Sequence, residues 1–322
     1  MIIVTGGAGF IGSAFVWKLN KEGIDDILIV DELGKTEKWK NLAGRSFTDY
    51  VHKDEFINNL KNNDKYYDAK AIIHMGACSS TTETDADFLM CNNFHYTMEL
   101  ARWSLKKNVR FIYASSAATY GDGLLGFSDD DKLLPGLRPL NIYGYSKHLF
   151  DLWAIRNKVL DKIAGLKFFN VFGPNEYHKD DMVSMAFRAF HQILPAGKVK
   201  LFKSYLKDYK HGEQKRDFVY VKDCVEIIWW LMQNNVNGIF NVGTGKARSW
   251  NDMAKAIFSS MGLDAKIEYI DMPEQLRDRY QYFTEAKMDK LKQAGCPVKF
   301  LTLEEAVHDY VMGYLLKNNM CL

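Results

Sequence analysis

Short continuous apolar runs alternate with amphipathic stretches through the first half of this chain. Residues 2–4, 26–31, 71–75 and 109–114 are the runs, each too short for a helix of ordinary length and bounded by polar or glycine-containing segments. They predict strands covered on both faces. Between them, residues 10–23 carry Ile11, Ala14, Phe15 and Leu19 at helical spacing and stop at Gly23, and residues 53–61 and 84–107 also read as helices. Strand and helix in alternation predict a doubly wound parallel α/β sheet of the Rossmann type. The second half continues with a helix at 143–158, a strand at 166–169, a departure from the sheet at 170–174 and a helix at 182–194. An irregular charged excursion at 203–215 is followed by strand 217–221, helix 225–233 and strand 238–242. From Ser249 the pattern is mainly helical, with a short strand near Ile267. Two interleaved lobes are expected: a dinucleotide-binding one from 1–169 and 217–243, and a smaller C-terminal α/β substrate lobe from 170–216 and 244–322.

The turn after the first strand assigns a ligand to the larger lobe. Gly6, Gly7, Gly9 and Gly12 form two overlapping patterns, Gly7-x-Gly9-x-x-Gly12 and Gly6-x-x-Gly9-x-x-Gly12, between strand and helix. The first glycines permit a tight turn with positive φ, Gly9 lets a pyrophosphate approach the backbone, and Gly12 lets the helix pack close. The helix N-terminus adds free N–H groups and partial positive charge. Asp31, ending the second strand, stands where an acid grips the adenosine ribose, which favours NAD. Lys35, Lys38 and Lys40 follow and could hold a 2′-phosphate, so NADP and NAD both remain open at this point. Small residues at 76–82 let a cofactor lie across a strand end, and the polar loop 122–140 is expected to shape a binding cleft.

Composition narrows the partners. A chain of 322 residues with 47% hydrophobic and 25% charged residues can bury a large core. A net charge of +2 argues against nucleic acid or an anionic membrane surface. The longest apolar run, 225–232, is too short to span a bilayer, and the N-terminus is already a strand rather than a leader, so a cytoplasmic protein is expected. Cys78, Cys91, Cys224, Cys296 and Cys321 are odd in number and form no CxxC pair; they are read as reduced, small buried hydrophobes. His178 and His211 lack ligand spacing, and no metal is expected.

Tyr143-Gly-Tyr-Ser-Lys147 carries the chemistry. Residues four apart share a helix face, so a lysine there, together with a cationic nicotinamide, would lower the tyrosine pKa. The phenolate could then take a hydroxyl proton as hydride leaves the same carbon, with Ser116 holding the reacting oxygen. Tyr66 and Lys70 repeat the spacing without a serine at a strand end upstream, and are read as surface.

With these motifs in order, the chain resembles the extended short-chain dehydrogenase/reductase family, whose members modify nucleotide sugars. The stretches that carry the resemblance are MIIVTGGAGFIGS at the start, GACSSTTE at 76–83, YASSAATYG at 113–121 and YGYSK at 143–147. FNVFGP at 169–174, HK at 178–179, KRDFVYV at 215–221 and RYQ-x-FT at 279–284 extend it over nearly the whole chain. It is most similar to the branch that inverts C6 of ADP-glycero-manno-heptose for lipopolysaccharide core synthesis. This implies ADP-heptose as substrate, NADP as cofactor (NAD being the other possibility), a homo-oligomer (a homopentamer), and transient oxidation to a 6-aldehyde that rotates and takes the same hydride back. It implies Tyr143 and Lys179 as the two acid/base groups, with Lys147 and Ser116 assisting. It also places Phe10, Ile11, Asp31, Glu32, Lys38, Lys53, Met75, Gly76, Ala77, Cys78, Ser79, Asn92 and Val171 on the cofactor, with Tyr143, Lys147 and Lys179. Asn170, Asp181, Arg188, Phe202, Ser204, Arg216 and Tyr280, with Ser116, would hold the substrate, Arg216 on the diphosphate. Met75 replaces an acid, Asp180-Asp181 replaces Gly-Ser, Arg188 replaces His, and the 203–215 excursion is longer than usual. Ala117-Ala118 stands where a 4,6-dehydratase carries Asp-Glu, which argues against dehydration. A UDP-hexose 4-epimerase uses the same Ser/Tyr/Lys set and stays open, as does a non-catalytic NADP-sensing scaffold.

Overall fold

Strands that are apolar on both faces persist only where helices cover each side, and the main sheet is built from such strands with one polar strand at its edge. The computed structural model describes residues 1–322 apart from 63–65, 67, 278 and 279. Its strands are β1 (Ile2–Thr5), β2 (Ile27–Asp31), β3 (Asp49–His52), β4 (Ala71–His74), β5 (Arg110–Ser116), β6 (Ile163–Phe168), β7 (Asn170–Phe172), β8 (Val199–Phe202), β9 (Lys215–Tyr220), β10 (Gly238–Val242), β11 (Ala247–Ser249) and β12 (Ile267–Ile270). The main sheet is parallel, in the order β10-β6-β5-β4-β1-β2-β3. The order reverses between β1 and β4, and a crevice opens at the carboxyl ends of strands at such a switch point.

The helices used below are α1 (Phe10–Lys21), α2 (Lys53–Asn62), α3 (Ala86–Leu89), α4 (Tyr96–Lys107), α5 (Ile142–Arg156), α6 (Met185–Ala196), α7 (Val221–Asn234) and α8 (Trp250–Ser260). Alternate residues of each strand serve opposite faces. Val4, Ile29 and Ile73 pack with Phe15 and Leu19 of α1 and Ile228 and Leu231 of α7, whereas Ile3, Leu28 and Ile72 pack with Leu100 of α4 and Phe150 of α5. The smaller lobe has its own core, in which Phe190 of α6 and Ile257 of α8 meet Phe172, Leu201 and Phe218.

Several expectations need correction. The predicted 84–107 helix is α3 and α4 joined by a π-helical turn at Met90–His95. The 217–221 strand is β9, which lies between β7 and β11 in a separate three-stranded sheet rather than in the main one. β3, unforeseen, is a short polar strand at the edge of the sheet, paired with β2. The 122–140 loop packs mainly on the core: Phe127, Leu134 and Leu137 are buried there, and the Asp129 carboxylate accepts the Asn241 N–H at 2.8 Å. Tyr66 is no surface residue; it is buried with its ring 5.0 Å from that of Phe56, while Lys70 is exposed. All five cysteines are free thiols, but only Cys224 is buried and Cys91 is exposed.

Candidate active site

Where the main sheet's carboxyl ends face the smaller lobe, a cleft of about 1750 Å³ runs between them. Pockets for a single small ligand hold roughly 300–1,000 Å³, so this cleft has room for two.

The glycine turn floors it. Gly6 has φ +64°, and a Cβ there would meet the Gly76 backbone at 2.6 Å. A Cβ on Gly12 would lie 2.0 Å from the Gly6 carbonyl. Only glycine at both positions lets the turn fold beneath α1, whose N-terminal N–H groups open onto the cleft. The cradle fits a dinucleotide pyrophosphate. Gly6, Gly9, Phe10, Ile11 and Gly12 line it, whereas Gly7 is buried against the strands and does not.

A side pocket of about 180 Å³ adjoins the turn, lined among others by Asp31, Glu32, Lys38, Lys53, Cys78 and Asn92. The Asp31 carboxylate accepts from the Ala8 N–H at 2.8 Å, the Glu32 N–H at 2.7 Å and the Lys38 ammonium at 2.7 Å. Lys53 pairs with Glu32 at 3.0 Å and donates to Asn92 Oδ1 at 2.9 Å. That lysine holds the Glu32 carboxyl below its ordinary range. The π-helical turn carries Asn92 and Asn93 here, and such turns gather at functional sites. Asn93 accepts from the Cys78 N–H and donates to the Cys78 carbonyl, both at 2.9 Å, and donates to Ser146 Oγ at 3.0 Å. The 75–79 stretch is thereby locked to α5; Met75, Gly76, Ala77 and Ser79 face the main cleft.

Helix α5 opens with Asn141 accepting the Gly144 N–H at 2.7 Å, which sets Tyr143 and Lys147 one turn apart on the cleft side. Ser116 lines the cleft at the end of β5. Burial pushes the Tyr143 hydroxyl above its ordinary pKa, with a hydrogen bond to Ser116 opposing. The Lys147 ammonium donates to the Ala114 carbonyl at 2.9 Å and is pushed down to about 8 by burial, Asp151 opposing. The expected lowering of the tyrosine by its lysine neighbour is therefore not a property of the protein alone.

Lys179 reaches the cleft from the other side, on the turn Tyr177–Met182. Its ammonium sits 5.2 Å from the Phe10 ring centre, and burial lowers its pKa, Glu176 opposing. The next residue, Asp180, has φ +45° and ψ −120°, a conformation suited to glycine. Holding an aspartate there costs about 1–3 kcal/mol. Asp181 is exposed, and Arg188 donates to its carbonyl while pairing with its carboxylate at 3.7 Å. The acid that replaces serine and the arginine that replaces histidine thus offset one another.

Further along, Arg216 is buried with its guanidinium 5.5 Å from the Trp250 ring and 5.2 Å from the Tyr280 ring. Trp250 Nε1 donates to the Tyr280 hydroxyl at 2.8 Å, joining the two rings that flank the guanidinium. Asn170, Val171 and Phe202 also line the cleft. Ser204 does not: its hydroxyl donates to the Leu206 carbonyl at 3.0 Å. Arg279 of the RYQ-x-FT stretch lies outside the described residues. Ser80, Thr81 and Thr82, within the 76–82 stretch expected along a cofactor, line the cleft, as do Trp250, Glu83 and Thr84, which sequence reasoning missed. The Ser-x-x-Asp capping box at 249–252 marked a helix start at Trp250 but said nothing of what that helix faces. Among the described residues, no three or more His, Cys, Asp or Glu side chains gather as a metal site.

A sequence profile of the NAD dependent epimerase/dehydratase family matches residues 2–243. The ADP-L-glycero-D-manno-heptose-6-epimerase of Nitratidesulfovibrio vulgaris is 61% identical over 98% of both chains. That of Fusobacterium nucleatum is 53% identical over the full length of both. Among solved structures, the Helicobacter pylori ADP-L-glycero-D-manno-heptose-6-epimerase superposes with a TM-score of 0.81 at 28% identity, covering 97% of this chain and 95% of that one. UDP-glucose 4-epimerase of Thermotoga maritima, 24% identical with a TM-score of 0.79 over 98% of this chain and 99% of that one, shares the fold. The glycine cradle, the Ser/Tyr/Lys set and full-length identity of this order place the chain in the NAD dependent epimerase/dehydratase family and, within it, among the ADP-L-glycero-D-manno-heptose-6-epimerases.

Proposed function

We propose that this protein inverts C6 of ADP-glycero-manno-heptose by removing and returning a hydride at that carbon, with Tyr143 and Lys179 as its two acid/base groups. The observation that carries the reading is that these groups belong to separate elements, α5 and the 177–182 turn, yet open on one cleft beside the glycine cradle. Bound nicotinamide supplies the hydride acceptor and donor. Ser116 hydrogen-bonds the C6 oxygen. Burial lowers the proton affinity of Lys179 and raises that of Tyr143, which suits the pair to opposite halves of a proton exchange. C6 of a heptose is bonded to C5, C7 and oxygen, so its oxidation yields a ketone and not the 6-aldehyde of the sequence reading. Rotation of that carbonyl exposes its other face, and the returned hydride completes the inversion. Epimerisation run in deuterated water should leave C6 unlabelled in the product, read by mass or by NMR. Deuterium at C6 would mean simple deprotonation of the carbon and would sink this reading.

The cofactor is NADP on this reading. Lys38 and Lys53 already pair with Asp31 and Glu32, so no bare acid faces the ribose pocket to repel a 2′-phosphate, and both ammonium groups line that pocket as donors for one. A charge-assisted hydrogen bond is worth about 1.5–3 kcal/mol, so Lys38→Ala and Lys53→Ala should each weaken NADP by about 10–100-fold and NAD much less. Titration of both nucleotides by fluorescence checks this; equal losses would return the choice to NAD. Arg216, flanked by the Trp250 and Tyr280 rings, would take the ADP diphosphate of the substrate. The family likeness further implies a homo-oligomer, a homopentamer, working in the cytoplasm. Among the described residues, no helix is long and apolar enough to cross a membrane.

A further inference from the structure

We infer that Asn41 is a positioning residue that fixes the Lys179 turn to the glycine loop; this rests on the reading of Lys179 as an acid/base group. Asn41 is 1% exposed and sits outside both ligand pockets. Its side-chain amide donates to the Ala8 carbonyl at 3.0 Å, in the glycine loop, and to the Asn175 carbonyl at 3.2 Å and His178 Nδ1 at 3.3 Å, on the Lys179 segment. An amide nitrogen has two hydrogens, so one serves the glycine loop and the other is shared within the Lys179 segment. The acceptor role requires a neutral imidazole, and burial holds His178 down to about 4, which keeps it neutral.

Two more contacts run between the same pair of loops. The Asn175 side chain donates to Ser13 Oγ at 2.8 Å in the first turn of α1, and the Lys179 ammonium rests over the Phe10 ring. At the root of the segment, the buried Glu176 accepts from the Gly173 N–H at 3.2 Å, the Ser184 N–H at 2.5 Å and the Ser184 hydroxyl at 2.7 Å. The segment is closed at its root by Glu176 and registered at its tip by Asn41. The segment is also tied to the C-terminal tail, where the Asn175 N–H donates to the Met320 carbonyl and Asn175 Oδ1 accepts the Leu322 N–H, both at 2.8 Å, but the contacts nearest Lys179 itself come from the cofactor cradle and the start of α1. A misplacement of about 1 Å can cost 10²-fold in rate, so this registration bears on one of the two proton transfers only.

The test separates that half of the reaction. Holoenzyme is mixed rapidly with each heptose epimer alone, and transient reduction of its nicotinamide is followed by absorbance. Lys179→Ala should slow reduction by one epimer about 100-fold and spare the other. Asn41→Ala should slow the same epimer about 10-fold, spare the other, and raise amide hydrogen exchange across 173–184. Asn175→Gly, which keeps the positive φ of +76° but removes the bond to Ser13 and the one from the Leu322 N–H, should act in the same direction and guards against a misfolded Asn41 variant. If Lys179→Ala is selective but both asparagine variants slow the two epimers equally, or neither, the inference is overturned and the two-base reading stands. If Lys179→Ala itself spares both epimers, that reading fails and the inference with it.

Discussion

Tyr143→Phe is expected to lower kcat for epimerisation by about 10³-fold, within the 10²–10⁴ range for a positioned acid/base group, or about 4 kcal/mol of barrier. The substitution removes a single oxygen and leaves the ring to fill its place at the start of α5. Asn141 still caps the helix, Lys147 still donates to the Ala114 carbonyl, and the glycine cradle is untouched. Melting temperature and cofactor affinity should therefore stay near those of the parent. Because Lys179 remains, one epimer should still reduce the bound cofactor once, without release of inverted product. Steady-state kinetics and a single-turnover absorbance trace check both halves of this expectation. Turnover within about tenfold of the parent would show that the phenol carries no proton, since an acid/base group contributes more than that.

Asp151→Ala is expected to have the largest effect on stability. Asp151 follows Lys147 by one helical turn, and both it and Lys167 are completely buried. Its carboxylate accepts from the Lys167 ammonium at 2.6 Å, the Ser115 hydroxyl at 2.8 Å and the Tyr113 hydroxyl at 2.9 Å. Lys167 also donates to Thr119 Oγ1 at 2.6 Å and lies 5.1 Å from the Tyr120 ring centre. Removing the carboxylate strands a buried ammonium, at a cost of about 3–5 kcal/mol. Whole domains are stable by only about 5–15 kcal/mol. A fall in melting temperature of about 10 °C should follow. Lys167→Met in the same chain should recover much of it, because the uncompensated charge leaves with the ammonium. The variant has a second signature. Asp151 raises the Lys147 pKa against burial, so without it Lys147 should lose its proton below its present value of about 8. A single variant melting within about 2 °C of the parent would contradict the ion-pair account, since about 1 kcal/mol already moves a domain of this size that far.

What could be read from the chain, and what could not, divides by the range of the interactions. The glycine turn and the Tyr143/Lys147 face were legible because strand–turn–helix order and a four-residue repeat are properties of neighbouring residues. The same local spacing misled at Tyr66 and Lys70, where contact with Phe56 buries the tyrosine. β9 has the apolar run of a main-sheet strand, yet its backbone pairs with β7 and β11. The 122–140 loop is polar by composition, but Phe127, Leu134 and Leu137 anchor it to the core.

The sequence by itself determined the parallel α/β class, the glycine turn at the end of β1 and the shared helix face of Tyr143 and Lys147, because backbone dihedral limits and helical or strand periodicity act over a few residues. Only the tertiary structure decided that Lys147 reaches the Ala114 carbonyl, that Arg216 is clasped by Trp250 and Tyr280, and that Asn41 joins the glycine loop to the Lys179 turn. Those contacts link residues tens to more than a hundred positions apart, and no local pattern carries them; they arise as elements distant in sequence pack within each lobe and, at Asn41 and His178, between the two.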